Sequence, residues 1–327
     1  MLEKKGLGPR RKIGSLGCCL LLLVGWVWLF AGCGTVLSKS AVVKIGVLPI
    51  EDNLPFFVAE QNGLFQDAGL EVELIPFPSA VERDAALQAG QIDGAIADLV
   101  AVSLLSKGGT DIRVVCVGMG ALPAEGRFAI LSAPHSQIRQ PEDLRDVPIG
   151  VSENSIIDYV TDVMLADAHI PAAQVQKIAI PKMPVRLQML MADEIQAACL
   201  PDPLAYLAER QGAHTVLEDT YRHISQTVLF FRNAVLQDRA PELQALVRVY
   251  ERAGQDINAS PDQYRPLLIS KTQVPEEIAA TYPMPVYSLL RLPEEDEVTE
   301  VMQWMVDKKL LDQAYAYQDL IDASLLK

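Results

Sequence analysis

Strand and helix signals alternate along most of this chain, and the alternation limits its fold more than any other feature. Residues 42–48 (VVKIGVL) are apolar and β-branched, residues 55–62 (PFFVAEQN) favour a helix, and residues 70–76 (LEVELIP) alternate as a strand does. Similar strands and helices of roughly ten residues follow as far as residue 232. Such a rhythm is typical of an α/β protein whose mostly parallel sheet is covered by helices on both faces.

The length of the chain predicts two lobes. The 295 residues that follow residue 32 of the 327-residue chain exceed what one compact core usually holds. The strand–helix rhythm restarts at residues 128–132 (FAILS), and the sequence is helical after the strand at residues 227–232 (TVLFFR). We expect lobe 1 to comprise residues 42–126 plus 227–327 with the C-terminal helices, and lobe 2 residues 127–226. The two strands would form the hinge, and a ligand cleft would lie between the lobes.

The N-terminus has the three parts of an export signal. Basic residues within positions 4–12 precede an apolar run at residues 16–31 (LGCCLLLLVGWVWLFA), and small residues follow before Cys33. The run is shorter than the roughly 20 residues that span a bilayer as a helix. A permanent transmembrane anchor is the alternative interpretation.

The segment LFAGC, which ends at Cys33, resembles the lipobox of bacterial lipoproteins. The resemblance implies removal of a signal peptide at residues 1–32, lipidation of Cys33 with fatty acids such as palmitate, and a tether at residues 33–41. The body would then be lipid-anchored at the cell membrane, on its periplasmic or outer face. Phe30 departs from the Leu that is usual at that position.

Composition argues against several classes of function. The net charge of −14 would become −18 on removal of residues 1–32, because they carry five positive charges and one negative, and the remaining chain has no basic cluster, which argues against a nucleic-acid partner. The four histidines lack partners at ligand spacing, so no metal site is expected. No Walker loop or nucleophile elbow occurs, and we predict no catalytic residues, no cofactor and no enzymatic activity. Cys116 and Cys199 are interpreted as small buried hydrophobes, with a disulfide between them left open.

Polar residues stand just beyond the predicted strand ends, where a cleft would lie. Ser79, Asp98 and Ser155 open helices, whose N-termini favour anions, although each side chain would also serve as a simple helix cap. The carboxylates of Asp98 and Asp202 favour a ligand with an amine or another hydrogen-bond donor, such as a zwitterion or a heterocycle. Arg127 would pair with a ligand carboxylate or sulfonate, or join the lobes through a salt bridge.

Five segments carry a family resemblance over nearly the whole body: PFFVAEQNGLFQDAGLEVELIPFPSA with ALQAGQIDGAIADL, GRFAIL, IGVSENSIIDYVTD, PVRLQMLMADEIQAACLPDPLAYLAE and DINASPDQYRPLL. They resemble periplasmic binding proteins of the nitrate, sulfonate, taurine and thiamine-precursor group. The resemblance implies a type II periplasmic-binding fold and a monomer that delivers a small-molecule ligand to an ABC permease with its ATPase. The positions that match the family's cleft are Asp52, Asn53, Leu54, Pro55, Ser79, Asp98, Arg127, Ser152, Asn154, Ser155 and Asp202.

Two departures from the family pattern leave the ligand open. Ala97 stands where Thr or Ser is frequent, and Asp202 stands where Glu is frequent. We expect a sulfonate, a taurine-like zwitterion or a pyrimidine-like heterocycle. The alternatives are an enzyme of thiamine-pyrimidine or menaquinone biosynthesis with the same fold, and a sensor binding protein.

Overall fold

Two five-stranded sheets form the framework of the protein. The computed structural model describes residues 42–122, 125–222 and 224–326, and Cys33 with its signal peptide and tether lies outside these ranges. Within them the strands are β1 (Val43–Val47), β2 (Val72–Pro76), β3 (Gly94–Asp98), β4 (Ile112–Met119), β5 (Phe128–Ser132), β6 (Pro148–Val151), β7 (Gln176–Ala179), β8 (Ala197–Pro201), β9 (His214–Glu218) and β10 (Thr227–Arg232). The strand order is β2-β1-β3-β10-β4 in the first sheet and β7-β6-β8-β5-β9 in the second.

Each sheet is parallel apart from one antiparallel strand. In the first sheet β10 runs antiparallel between β3 and β4, and in the second β5 runs antiparallel between β8 and β9. The chain passes from the first sheet to the second between β4 and β5, and returns between β9 and β10. Each of the strands β5 and β10 then pairs with a neighbour on both sides. This insertion places Thr227 beside Asp98 and Phe128 beside Pro201. The first residues of β10 and β5 therefore lie at the same sheet edges as the carboxyl ends of the parallel strands.

Helices connect the strands and cover both sheets. They are α1 (Leu54–Gln61), α2 (Leu64–Asp67), α3 (Ala80–Gln88), α4 (Leu99–Lys107), α5 (Ile156–Asp167), α6 (Met183–Met191), α7 (Leu204–Arg210), α8 (Asn233–Asp238), α9 (Ala240–Ala259), α10 (Pro261–Lys271), α11 (Glu295–Asp307) and α12 (Tyr317–Leu320). Short 3₁₀ turns occur at Glu51–Asn53, Pro141–Leu144, Ala172–Gln174 and Ser324–Leu326.

The C-terminal helices complete the core of the first sheet. Long α9 packs against α1, where the rings of Phe56 and Tyr250 lie 4.8 Å apart between their centroids. Phe56 is fully buried, which contributes about 1.5–3 kcal/mol relative to an exposed side chain. Helix α11 packs on α4, where the hydroxyl of Ser103 contacts the sulfur of Met302. The C-terminal helices α9 and α11 thus help to cover the two faces of the first sheet, which the helices between its strands would leave partly exposed.

Candidate functional site

Elements of the two sheets touch each other on two flanks. On one flank the Tyr206 hydroxyl of α7 donates to the carbonyl of Thr281 at 3.0 Å, and its ring meets Tyr282 at 5.4 Å. Tyr282 is buried in the core of the first sheet. On the other flank Trp304 Nε1 of α11 donates to Asp162 Oδ2 of α5 at 2.9 Å. The carboxyl ends of the strands face the space between these flanks, where ligands of open α/β sheets bind.

Four carboxyl groups form an acidic cluster in this space: Glu51, Asp52, Asp98 and Asp202. Glu51 lies just before α1 and is only 8 % exposed. Its pKa is raised to about 8, chiefly by burial and to a smaller extent by the charges of Asp202 and Asp52, while a hydrogen bond from Tyr282 acts in the opposite direction. Asp202 comes from the second sheet, so the cluster draws on both sheets. A carboxyl with such a pKa is held largely in its neutral form near pH 7.

Asp52 and Asp98 form the part of the acidic cluster at the first sheet. Burial raises the pKa of each, while the charge of Arg83 lowers both. The Thr227 side chain lies near the Asp52 carboxyl and lowers its pKa. Asp98 is the N-cap of α4 and accepts a hydrogen bond from the backbone of Ala101 at 2.9 Å. The capping interpretation of Asp98 is therefore correct.

Arg127 is the centre of an ion-pair network inside the second sheet. Its guanidinium donates to both oxygens of Asp202 at 3.2 and 3.1 Å. It also donates to both oxygens of Glu209 at 3.0 Å and to Glu218 at 3.2 Å. All three carboxylates come from β8, α7 and β9 or the residues beside them. Arg127 therefore forms no salt bridge to the first sheet, and a ligand anion would compete with three carboxylates for it.

Removal of the Arg127 guanidinium is expected to be costly, because it leaves Asp202 and Glu209 facing each other without a counter-charge. We expect Arg127→Met to lower the free energy of unfolding by about 3 kcal/mol in urea denaturation at pH 7. Arg252→Met is the control, since Arg252 pairs with Asp256 on the exposed surface of α9 and should contribute less than about 0.5 kcal/mol. Equal losses in the two variants would contradict the network's importance.

The predicted serines have local partners. Ser79 caps α3 by accepting from the backbone of Glu82 at 3.3 Å. Ser155 caps α5 by accepting from Ile157 at 3.2 Å and donates to the carbonyl of Ser152 at 2.6 Å. The Ser152 hydroxyl accepts from Arg186 Nη2 at 3.0 Å. The capping alternative thus describes Ser79 and Ser155, whereas Ser152 joins an arginine at the carboxyl end of β6.

The other predicted residues differ in their surroundings. Asn154 is exposed in the left-handed region, with φ of 59°, and its backbone donates to Asp158 at 2.9 Å. Leu54 and Pro55 are buried in α1, and Leu54 belongs to the hydrophobic core. Asn53 is fully buried, and within the described ranges its side-chain amide has no hydrogen-bond partner for either atom. Such an orphaned amide is the kind of group that a ligand satisfies.

The structure adds residues that the sequence did not single out, namely Glu51, Arg186, Tyr206, Thr227 and Tyr282. Thr227 was treated only as the start of a strand, and Tyr282 lies in a segment between α10 and α11 without a regular pattern. The spacing of Arg186 before β8 repeats that of Arg83 before β3, which is the one sequence signal that would have identified it.

Neither described cysteine suits covalent chemistry. Cys116 on β4 and Cys199 on β8 are free and buried in different sheets, which answers the question of a disulfide between them. Burial raises the pKa of both thiols, that of Cys199 to about 12. Among the described residues no group of three or more His, Cys, Asp or Glu side chains has an arrangement that could hold a metal ion. No helix in the same ranges has the length and apolar character needed to cross a membrane.

Two curated proteins resemble parts of the chain. It is 39% identical over 59 residues to the nitrate import ATP-binding protein NrtC of Synechococcus elongatus, covering 18% of this chain and 9% of NrtC. It is 26% identical over 230 residues to a Brachyspira hyodysenteriae protein named as an ABC transporter periplasmic binding protein, covering 63% of each chain. The chain thus spans less than two thirds of the length of both relatives.

Solved structures with the same architecture show the fold. The aliphatic sulphonate binding protein SsuA of Escherichia coli superposes with a TM-score of 0.74 at 16% identity, over 88% of this chain and 99% of SsuA. A zinc-bound ligand-binding component of an ABC-type import system from Staphylococcus aureus gives 0.68 at 20% identity, over 87% and 97%. The desulfurization enzyme DszB gives 0.65 at 16% identity, over 87% and 97%.

The fold is therefore that of periplasmic binding proteins, with two mixed α/β sheets, as the sequence predicts. The model of the NMT1-like family matches residues 38–267, more than half of the 327-residue chain. On this match the protein belongs to the NMT1-like family.

Proposed function

We propose that the protein is the solute-binding component of an ABC importer. Two lobes, residues 42–126 plus 227–327 and residues 127–226, would close on a small organic solute and present it to the permease and its ATPase. The name of the Brachyspira relative and the fold shared with SsuA support this role. Closure requires ligand contacts that are better in the closed state than in the open one.

The observation that carries the proposal is the set of unsatisfied polar atoms in the turn Glu51–Asn53, just before α1. Glu51 Oε1 and both amide atoms of Asn53 are buried, and the described part of the chain offers them no hydrogen-bond partner. Each such group costs about 1–3 kcal/mol when it is left without a partner. A solute held at the strand ends would supply these hydrogen bonds and so favour the closed form.

The acidic cluster indicates what the solute carries. Carboxyl groups accept hydrogen bonds when ionised, and Asp52, Asp98 and Asp202 sit close enough to raise the pKa of one another or of Glu51. A purely anionic solute would meet electrostatic repulsion here. We therefore infer a solute with an amino group or another donor-rich group, either a taurine-like zwitterion or an amino-substituted heterocycle.

The enzyme alternative has one specific observation in its favour, the likeness to DszB. The buried thiols of Cys116 and Cys199 argue against a cysteine nucleophile among the described residues. We infer a transport protein, placed outside the cytoplasm by its N-terminal signal, anchored through a lipid on Cys33 and active as a monomer. Its basic, apolar and small-residue segments before Cys33 support this placement.

Asp98→Asn is designed to test the ligand's chemistry without disturbing the fold. Asparagine is as good a helix cap as aspartate, so α4 should keep its N-terminus while the negative charge is lost. Thermal unfolding would be measured with taurine, with 4-amino-5-hydroxymethyl-2-methylpyrimidine and with ethanesulfonate. We expect an amino compound to stabilise the wild type by mass action, and to do so at a lower concentration than ethanesulfonate, which lacks the amino group.

In calorimetry Asp98→Asn should weaken binding of the stabilising compound by about tenfold or more, the equivalent of one charge-assisted hydrogen bond. The control is Asp312→Asn, because Asp312 is exposed beyond α11 and should leave affinity unchanged. X-ray scattering should show a smaller radius of gyration with the ligand bound. If ethanesulfonate stabilised the protein and neither amino compound did, the inferred ligand class would be wrong. If the radius of gyration did not change when the ligand bound, the proposed lobe closure would be wrong.

A further inference from the structure

Two arginines occupy equivalent places in the two sheets. Arg83 of α3 lies over Gly46 of β1, where a Cβ atom on the glycine would come within 3.2 Å of the arginine Cγ. Arg186 of α6 lies over Gly150 of β6, with the corresponding distance of 3.3 Å. In both cases a glycine in the strand makes room for the arginine stem. The surroundings of Arg83 can therefore be compared directly with those of Arg186.

The same spacing of apolar residues follows both arginines. Leu87 and Ile92 come after Arg83, and Leu190 and Ile195 come after Arg186 at identical intervals. All four apolar side chains are buried, as are both arginines, at 2 % and 0 % exposure. The helix, the turn and the next strand are therefore built alike in the two sheets.

The guanidinium of Arg83 is fully engaged. Its Nε and Nη2 donate to Asp84 Oδ1 at 2.8 and 2.7 Å, and its Nη1 donates to the carbonyl of Ile96 at 2.6 Å. An adjacent carboxylate neutralises the buried charge, which is the usual condition for a buried arginine.

Arg186 lacks this compensation. Leu187 stands where the first site has Asp84. Nη2 donates to Ser152 Oγ at 3.0 Å, while Nε and Nη1 are buried without an acceptor in the described ranges. The nearby thiol of Cys199 does not provide a negative charge, since burial raises its pKa to about 12. Burial also lowers the pKa of Arg186.

An unpaired buried guanidinium costs several kcal/mol, and its forked N–H groups match the two oxygens of an oxyanion. The guanidinium ends at Ser152, the first residue beyond the carboxyl end of β6, which is the sheet edge where ligands of this architecture bind.

We propose that Arg186 is an anion subsite of the cleft, which binds the carboxylate or sulfonate group of a solute whose amino group faces the acidic cluster. This inference rests on the proposed solute-binding function and narrows the solute to a zwitterion. Lobe opening would admit the anion to Arg186, and closure would bury the ion pair.

Methanesulfonate and acetate serve as probes of this subsite. Thermal unfolding would be followed in their sodium salts at constant ionic strength, with chloride as the reference anion, for the wild type, Arg186→Met and Arg210→Met. Arg210 is exposed at the end of α7, so its variant controls for the loss of a positive charge. We expect at least one probe to raise the melting temperature of the wild type and of Arg210→Met by about 3 °C, and to leave Arg186→Met unchanged.

Arg186→Met should also melt no lower than the wild type in chloride, because it removes an uncompensated charge. A lower melting temperature would assign Arg186 a structural role and overturn the proposal. The absence of a wild-type response to both probes, or an equal response in Arg186→Met, would overturn it as well. Arg186→Lys keeps the positive charge but lacks the paired N–H donors of the guanidinium. The anions should therefore raise its melting temperature by less than that of the wild type. The two proposals can fail separately. If the amino compounds still bind through Asp98, but methanesulfonate and acetate shift the melting temperature of Arg186→Met as much as that of the wild type, the solute-binding function stands and only the anion subsite fails.

Discussion

Alanine at position 94 is expected to destabilise the protein by about 3 kcal/mol or more. Gly94 opens β3, and a Cβ atom there would lie 2.3 Å from Cδ1 of Phe231 and 2.6 Å from the carbonyl oxygen of Phe230. Real atoms do not approach so closely. The obstacle includes the backbone of β10, which is paired on both sides, so the sheet has no inexpensive way to relax.

Gly118→Ala is the matched control for this substitution. Gly118 lies on β4 in the same sheet, and its added Cβ would meet the Tyr250 hydroxyl at 3.4 Å and Ile96 at 3.5 Å, which are ordinary contacts. We expect a change below about 1 kcal/mol there. Chemical denaturation followed by circular dichroism measures both variants. A Gly94→Ala protein as stable as Gly118→Ala would show that β10 is not held as tightly between β3 and β4 as the register indicates.

The ligand-free protein is expected to lose stability as the pH rises from about 5 to about 8. Glu51 binds its proton more tightly in the folded protein than in the unfolded chain, because burial raises its pKa from 4.5 to about 8. Its stabilising contribution is complete below pH 4.5 and is lost as the pH passes through 8. Asp219, whose pKa burial raises to about 6, acts in the same direction at lower pH. Together they should cost on the order of several kcal/mol across this range.

Glu51→Gln should abolish most of this pH dependence. Glutamine resembles the protonated carboxyl in shape and remains able to bond the Tyr282 hydroxyl, so the variant should be about 2 kcal/mol more stable than the wild type at pH 8 and similar at pH 5. Melting temperatures between pH 5 and pH 8.5 test this. Glu60→Gln, an exposed change on α1, is expected to leave the profile unchanged. A Glu51→Gln protein that follows the wild-type curve would place the titrating group elsewhere.

Periodicity alone predicted much of the fold. The strands at 128–132 and 227–232 begin and end at the predicted residues, and the α/β class is confirmed. The alternation succeeded because central strands such as β3 and β8 are buried along most of their length, and several helices begin with a capping residue or a proline. The antiparallel entry of β5 and β10 was not predicted, since strand direction depends on tertiary connections that a local pattern does not contain.

The site was harder to predict than the fold. Sequence position brought Asp98 and Asp202 to the strand ends, and both lie in the acidic cluster. The roles of Arg127 and Arg186 were not visible, because each depends on which carboxylates the folded chain brings near. Arg127 has three such partners, while Arg186 has none among the described residues. Whether a buried arginine has a carboxylate partner depends on three-dimensional contacts, which the spacing of residues in the sequence does not reveal.

The position of β10 has a consequence for the order of folding. The second sheet is built from one continuous stretch, from β5 to β9, whereas the first sheet needs β10 from beyond that stretch to fill the gap between β3 and β4. Closing so long a loop costs entropy before its contacts form, which slows this step. During synthesis the edges of β3 and β4 that pair with β10 remain unpaired until the residues of the second sheet, and then β10 itself, have been added to the chain. The second sheet would then act as a folded insert that brings the ends of the first sheet together.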